Sequence, residues 1–235
     1  MHTASTTALA TLIRNEVVHL ESVSRFAPSR RFASLFSESS PSDSLYFLES
    51  GLVKLFKRGE DGKEIILRIV APGELFGDQA LGGDDTREVR GVSAEVMQEG
   101  VIYVIPRAAF MAWCDGRPQV WRLLAETQIA RQRELEKKVE LLCLQDVEYR
   151  ILYYLGELAG LVGMRSDGTQ DYSIPLSQSE LASLIGATRE TTSTTLNTLA
   201  RRGLLKLGRR MLIVSSVDHV RNAASQRTVR AASNG

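Results

Sequence analysis

The feature that most constrains this chain is a long stretch, from Gln119 to Leu155, that contains neither glycine nor proline. Strong helix formers dominate it, chiefly Leu, Ala, Glu, Gln, Arg and Lys. The pattern predicts a helix from Gln119 to Leu144, about 40 Å long and therefore longer than a small domain needs. Asp146 is well placed to cap a following helix, Val147 to about Leu161. We therefore expect separate structural parts on either side of a long connecting helix.

A narrow stripe of side chains, three to four residues apart, runs along this predicted helix. Its members are Trp121, Leu124, Gln128, Arg131, Leu135 and Leu142. A narrow apolar stripe on a protruding helix favours a partner helix, and a second copy of the chain is the simplest partner. We therefore expect a homodimer joined along this helix. The alternative, in which the stripe packs against the chain's own N-terminal part, stays open here.

Between Phe26 and about Pro106 the sequence changes to short apolar runs separated by Gly, Pro, Asp and Ser. The runs that resemble strands in length and composition are Leu45–Leu48, Leu52–Arg58, Lys63–Val70 and Val101–Ile105. Residues 59–62 predict a hairpin loop between the second and third runs. Many short strands at this spacing predict an antiparallel roll or barrel. Before it, residues 1–25 are expected to form a loose amphipathic helix or a partly ordered leader.

The most informative segment lies near the C-terminal end of the chain. Ser177-Gln178-Ser179-Glu180 is a capping box, in which the serine side chain accepts from the glutamate amide and the glutamate carboxylate reaches back. Gly186 ends this first helix after two turns. Thr188 caps a second helix, which is predicted to run to Arg202. Two short helices joined by a glycine turn are typical of a helix-turn-helix, although such pairs also occur in purely structural roles.

A basic hairpin follows the helix pair. Leu204–Leu207 and Met211–Val214 have the character of strands, and Gly208-Arg209-Arg210 lies between them. This turn would place two guanidinium groups beside the helices, as a wing that contacts backbone phosphates does. Two helices with such a hairpin form a winged helix-turn-helix, which binds DNA.

The second helix of the pair has two faces at about 100° per residue. Thr192, Leu196 and Leu199 are predicted to face inward. The opposite face carries short polar groups with Arg and Glu, which suits base edges in a major groove because Arg pairs with guanine and Glu accepts from cytosine. The amides at the helix starts suit phosphate oxygens. The candidate DNA-binding residues are Ser177, Gln178, Ser179, Thr188, Arg189, Glu190, Ser193, Thr194, Asn197, Arg209 and Arg210.

Charge is distributed unevenly along the chain. The net charge is +1, but the residues from Leu176 to Gly235 include nine Arg or Lys and three Asp or Glu, a balance of +6 that leaves −5 for the rest. A basic C-terminal module suggests a polyanionic partner, here double-stranded DNA. A solvated basic surface without a partner is the alternative interpretation of charge alone.

Composition disfavours several other classes of protein. Cys114 and Cys143 are the only cysteines, which form no disulfide framework and fit a reducing cytoplasm. Three scattered histidines are too few for a metal site, so no metal is expected. No apolar run approaches the roughly 18 residues that a membrane span needs. No nucleophile–His–acid set and no phosphate loop is present, so we do not expect an enzyme. A small-molecule-binding module without direct DNA function stays open.

Three blocks of sequence occur in the order typical of one family. They are LYFLESGLVKL at 45–55, APGELFGD at 71–78, and the pair LSQSELA at 176–182 with TRETTS at 188–193. With them the chain, from about Phe26 to Val214, resembles the cyclic-AMP receptor protein / fumarate–nitrate regulator (CRP/FNR) superfamily of bacterial transcription regulators.

The resemblance implies an α+β fold in three parts after the leader. An N-terminal antiparallel β-roll of the cyclic-nucleotide-binding kind would span residues 26–118 and a dimerisation helix residues 119–145. A C-terminal winged helix-turn-helix would span residues 146–235. It also implies a homodimer on a pseudo-palindromic promoter site, with RNA polymerase as a further partner.

The resemblance implies an effector pocket that departs from the pattern of cyclic-AMP-responsive members. In those members Gly73-Glu74 would lie against the ribose, and a later Arg-Ser or Arg-Thr pair would hold the cyclic phosphate. Here that region reads Thr86-Arg87-Glu88, which places a carboxylate beside the phosphate. The adenine-reading polar pair is replaced by Leu135 and Glu136. A cyclic nucleotide is therefore disfavoured. The candidate pocket residues are Gly73, Glu74, Leu75, Gly77, Arg87 and Leu135.

Other sensing chemistries known in the family find little support. An iron–sulfur sensor needs about four cysteine ligands, and no histidine for a haem lies between Leu20 and Asp218. A thiol switch, a cyclic dinucleotide, another small ligand and no ligand at all stay open. Many members carry a second Arg where Thr194 stands, so one guanine contact is expected to be lost.

Overall fold

The computed structural model of the chain describes residues 4–28, 30–82, 89–162, 164–165 and 171–232. The chain divides into two compact units. The N-terminal unit contains residues 2–59 and 67–135, and the C-terminal unit contains residues 60–66 and 136–235 together with Met1. In the described part of the chain, no helix is long and apolar enough to span a membrane.

The N-terminal part of the chain folds into the antiparallel sheet that the sequence predicts, although two of its strands are long. They are β1 (Ser24–Phe26), β2 (Ser34–Phe36), β3 (Ser44–Arg58), β4 (Glu64–Val70), β5 (Leu75–Phe76) and β6 (Ser93–Pro106). The sheet has the order β1-β6-β3-β4, in which β2 also pairs with β6 and β5 with β3. Helix α1 (Ala4–Asn15) precedes the strands and α2 (Arg107–Cys114) follows them. The predicted loop at residues 59–62 lies between β3 and β4.

Two predicted strands, Leu45–Leu48 and Leu52–Arg58, are parts of the single strand β3. The pairing of β3 with β6 shifts register around Gly51, whose φ is 89°. A Cβ on Gly100 of β6 would lie 1.9 Å from the carbonyl oxygen of Ser50, so the two backbones approach too closely for any other residue. A glycine between apolar runs is typical of a strand end, but here a β-bulge lets the strand continue.

A hydrophobic core joins α1 to the helices that follow the sheet. Leu9 and Ile13 of α1 are buried together with Phe110 and Trp113 of α2. Each such buried side chain contributes about 1.5–3 kcal/mol relative to an exposed one. Of the two expectations for the N-terminal residues, the amphipathic helix is therefore correct, but it is packed in the core rather than loose.

Helix α3 (Pro118–Leu144) confirms the predicted long helix and begins one residue earlier, at a proline, which is favoured at this position. Three members of the predicted dimer stripe face the chain's own N-terminal unit. Leu124 lies in the core and is 5% exposed. Gln128 and Arg131 both donate to the carboxylate of Asp78. The alternative packing against the chain's own residues therefore holds for Leu124 and Arg131, which are buried or half-buried, whereas Gln128 is exposed and its partner contact stays a prediction.

The outward side of α3 carries a different set of apolar side chains. Trp121, Ile129, Leu135 and Val139 are 40%, 50%, 54% and 53% exposed, and we call them the outer stripe of α3. Trp121 and Leu135 belong to the predicted stripe, while Ile129 is new. Leu142 is half-buried, and its side chain lies against Gly186 of its own chain.

The C-terminal unit includes the last turns of α3 and combines helices with a small sheet. Its helices are α4 (Val147–Val162), α5 (Gln178–Ile185), α6 (Arg189–Arg201) and α7 (Val217–Ala232). The sheet, in the order β7-β8-β10-β9, consists of β7 (Met164–Arg165), β8 (Tyr172–Ile174), β9 (Lys206–Gly208) and β10 (Met211–Val214). Asp146 caps α4 as predicted, since its Oδ1 accepts from the Tyr149 amide at 2.8 Å. Helix α7 was not predicted from the sequence.

Candidate nucleic-acid interface

The start of α5 is fixed by the predicted capping box. The Ser177 Oγ accepts from the Glu180 amide at 3.2 Å, and the Glu180 carboxylate accepts from the Ser177 amide at 2.8 Å. At the other end Gly186 adopts a φ of 64° and stops the helix. Both predictions are confirmed. Gln178 is half-buried and Ser179 is exposed, so both side chains lie at the open N-terminal end of the helix.

Helix α6 begins at the predicted cap and buries the predicted face. The Thr188 Oγ1 accepts from the Thr191 amide at 3.2 Å. Thr192, Leu196 and Leu199 are completely buried, and the Thr192 hydroxyl donates to the Thr188 carbonyl at 2.8 Å. Because its hydroxyl group is hydrogen-bonded, Thr192 can lie in an apolar core without leaving a buried polar group unpaired.

The polar side chains on the opposite face of α6 are accessible to solvent. Arg189, Glu190, Thr194 and Asn197 are exposed, and Ser193 is half-buried. Within the described part of the chain, none of these side chains forms a hydrogen bond or an ion pair with another residue. A row of free donors and acceptors on a helix held at its back by apolar side chains is suited to bind an external polar surface.

The hairpin after α6 has its turn where the sequence predicts it. Gly208 of β9 pairs with Met211 of β10, which leaves Arg209 and Arg210 as the two turn residues. Arg209 is exposed, and Arg210 is exposed and adopts a φ of 56°, a region that residues other than glycine rarely enter. The tip of the hairpin therefore presents two guanidinium-bearing residues to the surroundings.

A cation holds the junction of three helices behind this interface. The guanidinium of Arg150, on α4, donates to the carbonyls of Leu142 and Gln145 at the end of α3, at 3.0 and 2.9 Å. It also donates to the carbonyl of Ile185, the last residue of α5, at 3.0 Å. The C-terminal carbonyls of a helix lack intrahelical partners and lie at the negative end of its dipole, so an arginine is favourable there.

Four candidate effector residues, at positions 73, 74, 75 and 77, lie beside buried ion pairs of the N-terminal unit, whereas Leu135 is 54% exposed on the outer stripe of α3. Glu74 is bound to Arg68 at 2.8 Å, with both side chains mostly buried. Asp78, next to the predicted Gly77, is bound to Arg131 at 2.8 Å. Burial by itself raises the pKa of Asp78, but Arg131 and Arg68 outweigh it, and the pKa is held below its usual value. The Leu75 carbonyl accepts from Arg131 as well. No sequence pattern singled out Arg68 or Asp78 as a site residue, although Asp78 closes the APGELFGD block.

Two of the predicted residues in this region are glycines with positive φ. Gly73 has a φ of 87° and donates its amide to the Leu48 carbonyl at 2.7 Å. Gly77 has a φ of 72°, and a Cβ there would lie 2.9 Å from the guanidinium of Arg90. Arg87, the predicted phosphate ligand, lies outside the described residues. No pattern in the sequence singled out Arg90, which is 2% exposed.

The two cysteines differ in environment. Cys114 is buried, and burial raises its pKa to about 11, so the group is a thiol rather than a reactive thiolate. Cys143 is exposed on α3. Among the residues that the structure describes, no cluster of His, Cys, Asp and Glu is arranged to hold a metal ion.

Two family models match the two units of the chain. One is described as a cyclic nucleotide-binding domain and matches residues 30–117, and the other is described as a Crp-like helix-turn-helix domain and matches residues 149–222.

Similar proteins are known from several bacteria. The CRP-like cAMP-activated global transcriptional regulator of Mycobacterium tuberculosis is 30% identical over 190 residues, which cover 81% of this chain and 84% of that protein. The cyclic AMP receptor protein of Thermus thermophilus is 30% identical over 176 residues, which cover 74% and 76%. The crystal structure of a CRP-family transcriptional regulator, also from Thermus thermophilus, matches with a TM-score of 0.72 and 26% identity, over 86% of this chain and 96% of that one.

Proposed function

This chain belongs to the CRP/FNR superfamily of DNA-binding transcription regulators, and we propose that it acts as a homodimer whose two copies of α6 read the halves of a pseudo-palindromic site. In such a dimer the half-sites lie one helical turn apart, about 34 Å. The observation that carries the proposal is the open face of α6, whose polar side chains are free while the opposite face is buried.

We assign base contacts to the exposed N-terminal end of α6. Arg189 would donate two hydrogen bonds to a guanine and Glu190 would accept from a cytosine amino group. Ser193, Thr194 and Asn197 lie on the same face and would support these contacts. Because Thr194 is short and uncharged, the preferred half-site should contain one guanine contact fewer than it would with an arginine there.

Phosphate contacts would come from the ends of elements around α6. Ser177, Gln178 and Ser179 surround the N-terminus of α5, and Thr188 is at the N-terminus of α6, where free amides favour anions. Arg209 and Arg210 at the hairpin tip would contact the backbone further along the duplex. These contacts carry no sequence information, but they fix the position of the protein on DNA.

The outer stripe of α3 supports the homodimer. Four large apolar side chains between 40% and 54% exposed on one helix face are unusual for a surface and suit burial against another helix. In a two-fold dimer the same stripe of the second copy covers it. We leave Leu124 and Arg131 out of this interface, because Leu124 is buried in its own core and Arg131 is mostly buried against Asp78. The exposed Gln128 stays a predicted interface residue.

We further propose that cyclic AMP does not control the protein. Asp78 is paired with Arg131 and Glu74 with Arg68, so the ionic groups that the structure describes beside the candidate pocket already have partners. The apolar Leu135 offers no hydrogen bond to a base. Since the M. tuberculosis relative is described as cAMP-activated, cyclic AMP is nevertheless the first effector to test. RNA polymerase as partner, a cytoplasmic location and the lack of enzymatic activity belong to the same proposal.

Selection of bound duplexes from a random pool tests the function. We expect an enriched palindromic sequence, with the same affinity in the presence and absence of cyclic AMP or cyclic di-GMP, and a dimer by analytical ultracentrifugation. No enrichment and no mobility shift on any duplex at low salt would instead favour a small-molecule-binding module without DNA function. A tighter complex with cyclic AMP would refute the effector proposal but leave the DNA-binding proposal in place.

A further inference from the structure

Lys138 is a buried lysine in the C-terminal half of α3. It is only 4% exposed. Its ammonium group donates to the carbonyl of Ile66 on β4 at 2.8 Å and to the carbonyl of Leu184 on α5 at 2.7 Å. The ring of Tyr154, on α4, lies 5.3 Å from the ammonium nitrogen. One side chain of α3 therefore contacts α4, α5 and the first part of β4, whose residues up to Ile66 belong to the C-terminal unit.

Packing alone does not account for a lysine at this position. Burial lowers the pKa of Lys138 to about 8, because the charged form loses its hydration. Among the described residues no carboxylate lies within ion-pair distance of the ammonium group. A methionine has a similar length and would fill the space without this cost. The polar contacts of the ammonium group must therefore offset the cost of burying the charge.

The contact with α5 is made where a positive charge is most favourable. Leu184 lies in the last turn of α5, whose carbonyls have no partners within the helix. These carbonyls carry the negative end of the helix dipole, which a cation stabilises. Arg150 occupies the neighbouring carbonyl of Ile185. The end of α5 is thus held by two cations, one from α3 and one from α4.

The C-terminal end of α5 packs closely against α3. A Cβ on Gly186 would lie 2.7 Å from a methyl group of Leu142, which is one turn beyond Lys138 on α3. Only two residues, Ala187 and Thr188, separate Gly186 from α6. The orientation of α6 therefore depends on that of α5. The orientation of α5 depends in turn on its contacts with α3.

We propose that Lys138 is a positioning residue for sequence-specific DNA binding: it fixes the end of α5 on α3 and β4, and through α5 it sets the orientation of α6. This inference rests on the proposed function, in which two copies of α6 must meet two half-sites at once. Binding to unselected DNA needs only phosphate contacts and tolerates a change in orientation. Lys138 therefore contributes to specificity without contacting DNA.

The test compares Lys138→Met with Lys137→Met in full-length protein. Lys137 is the adjacent residue on the same helix, but it is partly exposed and bound to Glu140 at 2.7 Å, so it controls for the loss of one positive charge. Affinities are measured for the selected duplex and for a scrambled duplex of equal length, over a series of salt concentrations.

For Lys138→Met we expect at least about a tenfold loss of affinity for the selected duplex and less than about a twofold change for the scrambled one. The salt dependence should stay unchanged, because no phosphate contact is removed. Lys137→Met should bind both duplexes like the wild type. Lys138→Gln, which keeps one donor group, should lie between Lys138→Met and the wild type, and it is the variant to use if Lys138→Met does not fold.

Two results would overturn the proposal while leaving the proposed function intact. One is a folded Lys138 variant that discriminates between the duplexes as well as the wild type. The other is an equal loss on both duplexes, which would indicate general damage to the unit rather than altered orientation. A wild-type protein that binds both duplexes equally would refute the proposed function itself.

Discussion

Removing the carboxylate of Asp78 should destabilise the N-terminal unit strongly. Asp78 and Arg131 are 2.8 Å apart, with side chains that are 18% and 15% exposed. Asp78→Asn keeps the size of the side chain but leaves Arg131 as a mostly buried charge close to Arg68. Breaking a buried pair in this way costs about 3–5 kcal/mol, because the remaining charge is neither hydrated nor neutralised.

A second ion pair serves as a control that separates the effect of burial on stability from the effect of the distance between the charges. Arg14 and Glu49 are also 2.8 Å apart in the same unit, but their side chains are 41% and 36% exposed. An exposed pair contributes at most about 1 kcal/mol, since water screens both charges. Glu49→Gln should therefore destabilise the unit far less than Asp78→Asn, although the two pairs have the same length.

Urea unfolding followed by tryptophan fluorescence measures the difference. Trp113 and Trp121, the only tryptophans of the chain, both belong to the N-terminal unit, so the signal reports on this unit. With a slope of about 1–3 kcal/mol per molar urea, Asp78→Asn should lower the midpoint by roughly 1 M or more. Equal shifts for the two variants would refute the argument from burial.

The effect of Asp78 should also depend on pH in one direction. Its pKa in the folded protein lies below the ordinary value of 3.8. A group whose pKa is lowered on folding stabilises the fold fully above the unfolded value and loses this contribution as the pH falls through the folded value. The difference in unfolding free energy between wild type and Asp78→Asn should therefore be constant near neutral pH. It should become smaller when the pH falls below the ordinary pKa of 3.8. A difference that grows in acid would contradict the assignment of an ionised Asp78.

Three further substitutions test the interface. Arg189→Ala should cost about 1–3 kcal/mol on the selected duplex and relax the preference at one base pair; an equal loss on all duplexes in a competition assay would exclude base contact. Arg209→Ala should weaken selected and scrambled duplexes by the same factor and reduce the slope of log affinity against log salt by about 1; an unchanged slope would exclude a phosphate contact. Leu135 is 54% exposed within one chain, so Leu135→Glu should leave the thermal stability of the monomer unchanged. It should shift ultracentrifugation profiles from dimer to monomer. A persistent dimer would place the interface elsewhere.

The starts of α4, α5 and α6 were predictable because their signals are local. Ser177 and Glu180, Thr188 and Thr191, and Asp146 and Tyr149 each lie three residues apart, so each cap can be recognised from a few consecutive letters. The inward face of α6 follows from helical periodicity alone. In these places local propensity and the final fold agree.

The buried contacts of α3 were not predictable for the opposite reason. Asp78 and Arg131 are 53 positions apart, and Lys138 and Ile66 are 72 positions apart. Periodicity identifies a helix, but it does not tell which of two partly apolar sides meets the rest of the chain. The predicted stripe therefore mixed Leu124, which is buried in its own core, with Leu135, which faces outward. Only tertiary contacts separate the two sides.

Ion pairs neutralise part of the positive net charge of the last sixty residues. Three of its basic side chains are bound to acidic residues that precede this segment: Arg202 to Glu148 at 2.6 Å, Lys206 to Asp171 at 3.1 Å and Arg221 to Glu157 at 3.5 Å.

These partners reduce the positive potential on the sides of the unit that carry them. Among the described residues, Arg189 and Arg209 form no ion pair and are both exposed. Two exposed cations without an ion pair thus lie at the N-terminal end of α6 and at the hairpin tip, and a third, Arg201, lies in the last turn of α6, where it donates to Thr198. A diffuse basic surface would attract DNA in any orientation, whereas charge at these two places favours an approach with the open face of α6 toward the duplex. We therefore expect the acidic residues that pair with these three cations to contribute to the orientation of the unit on DNA.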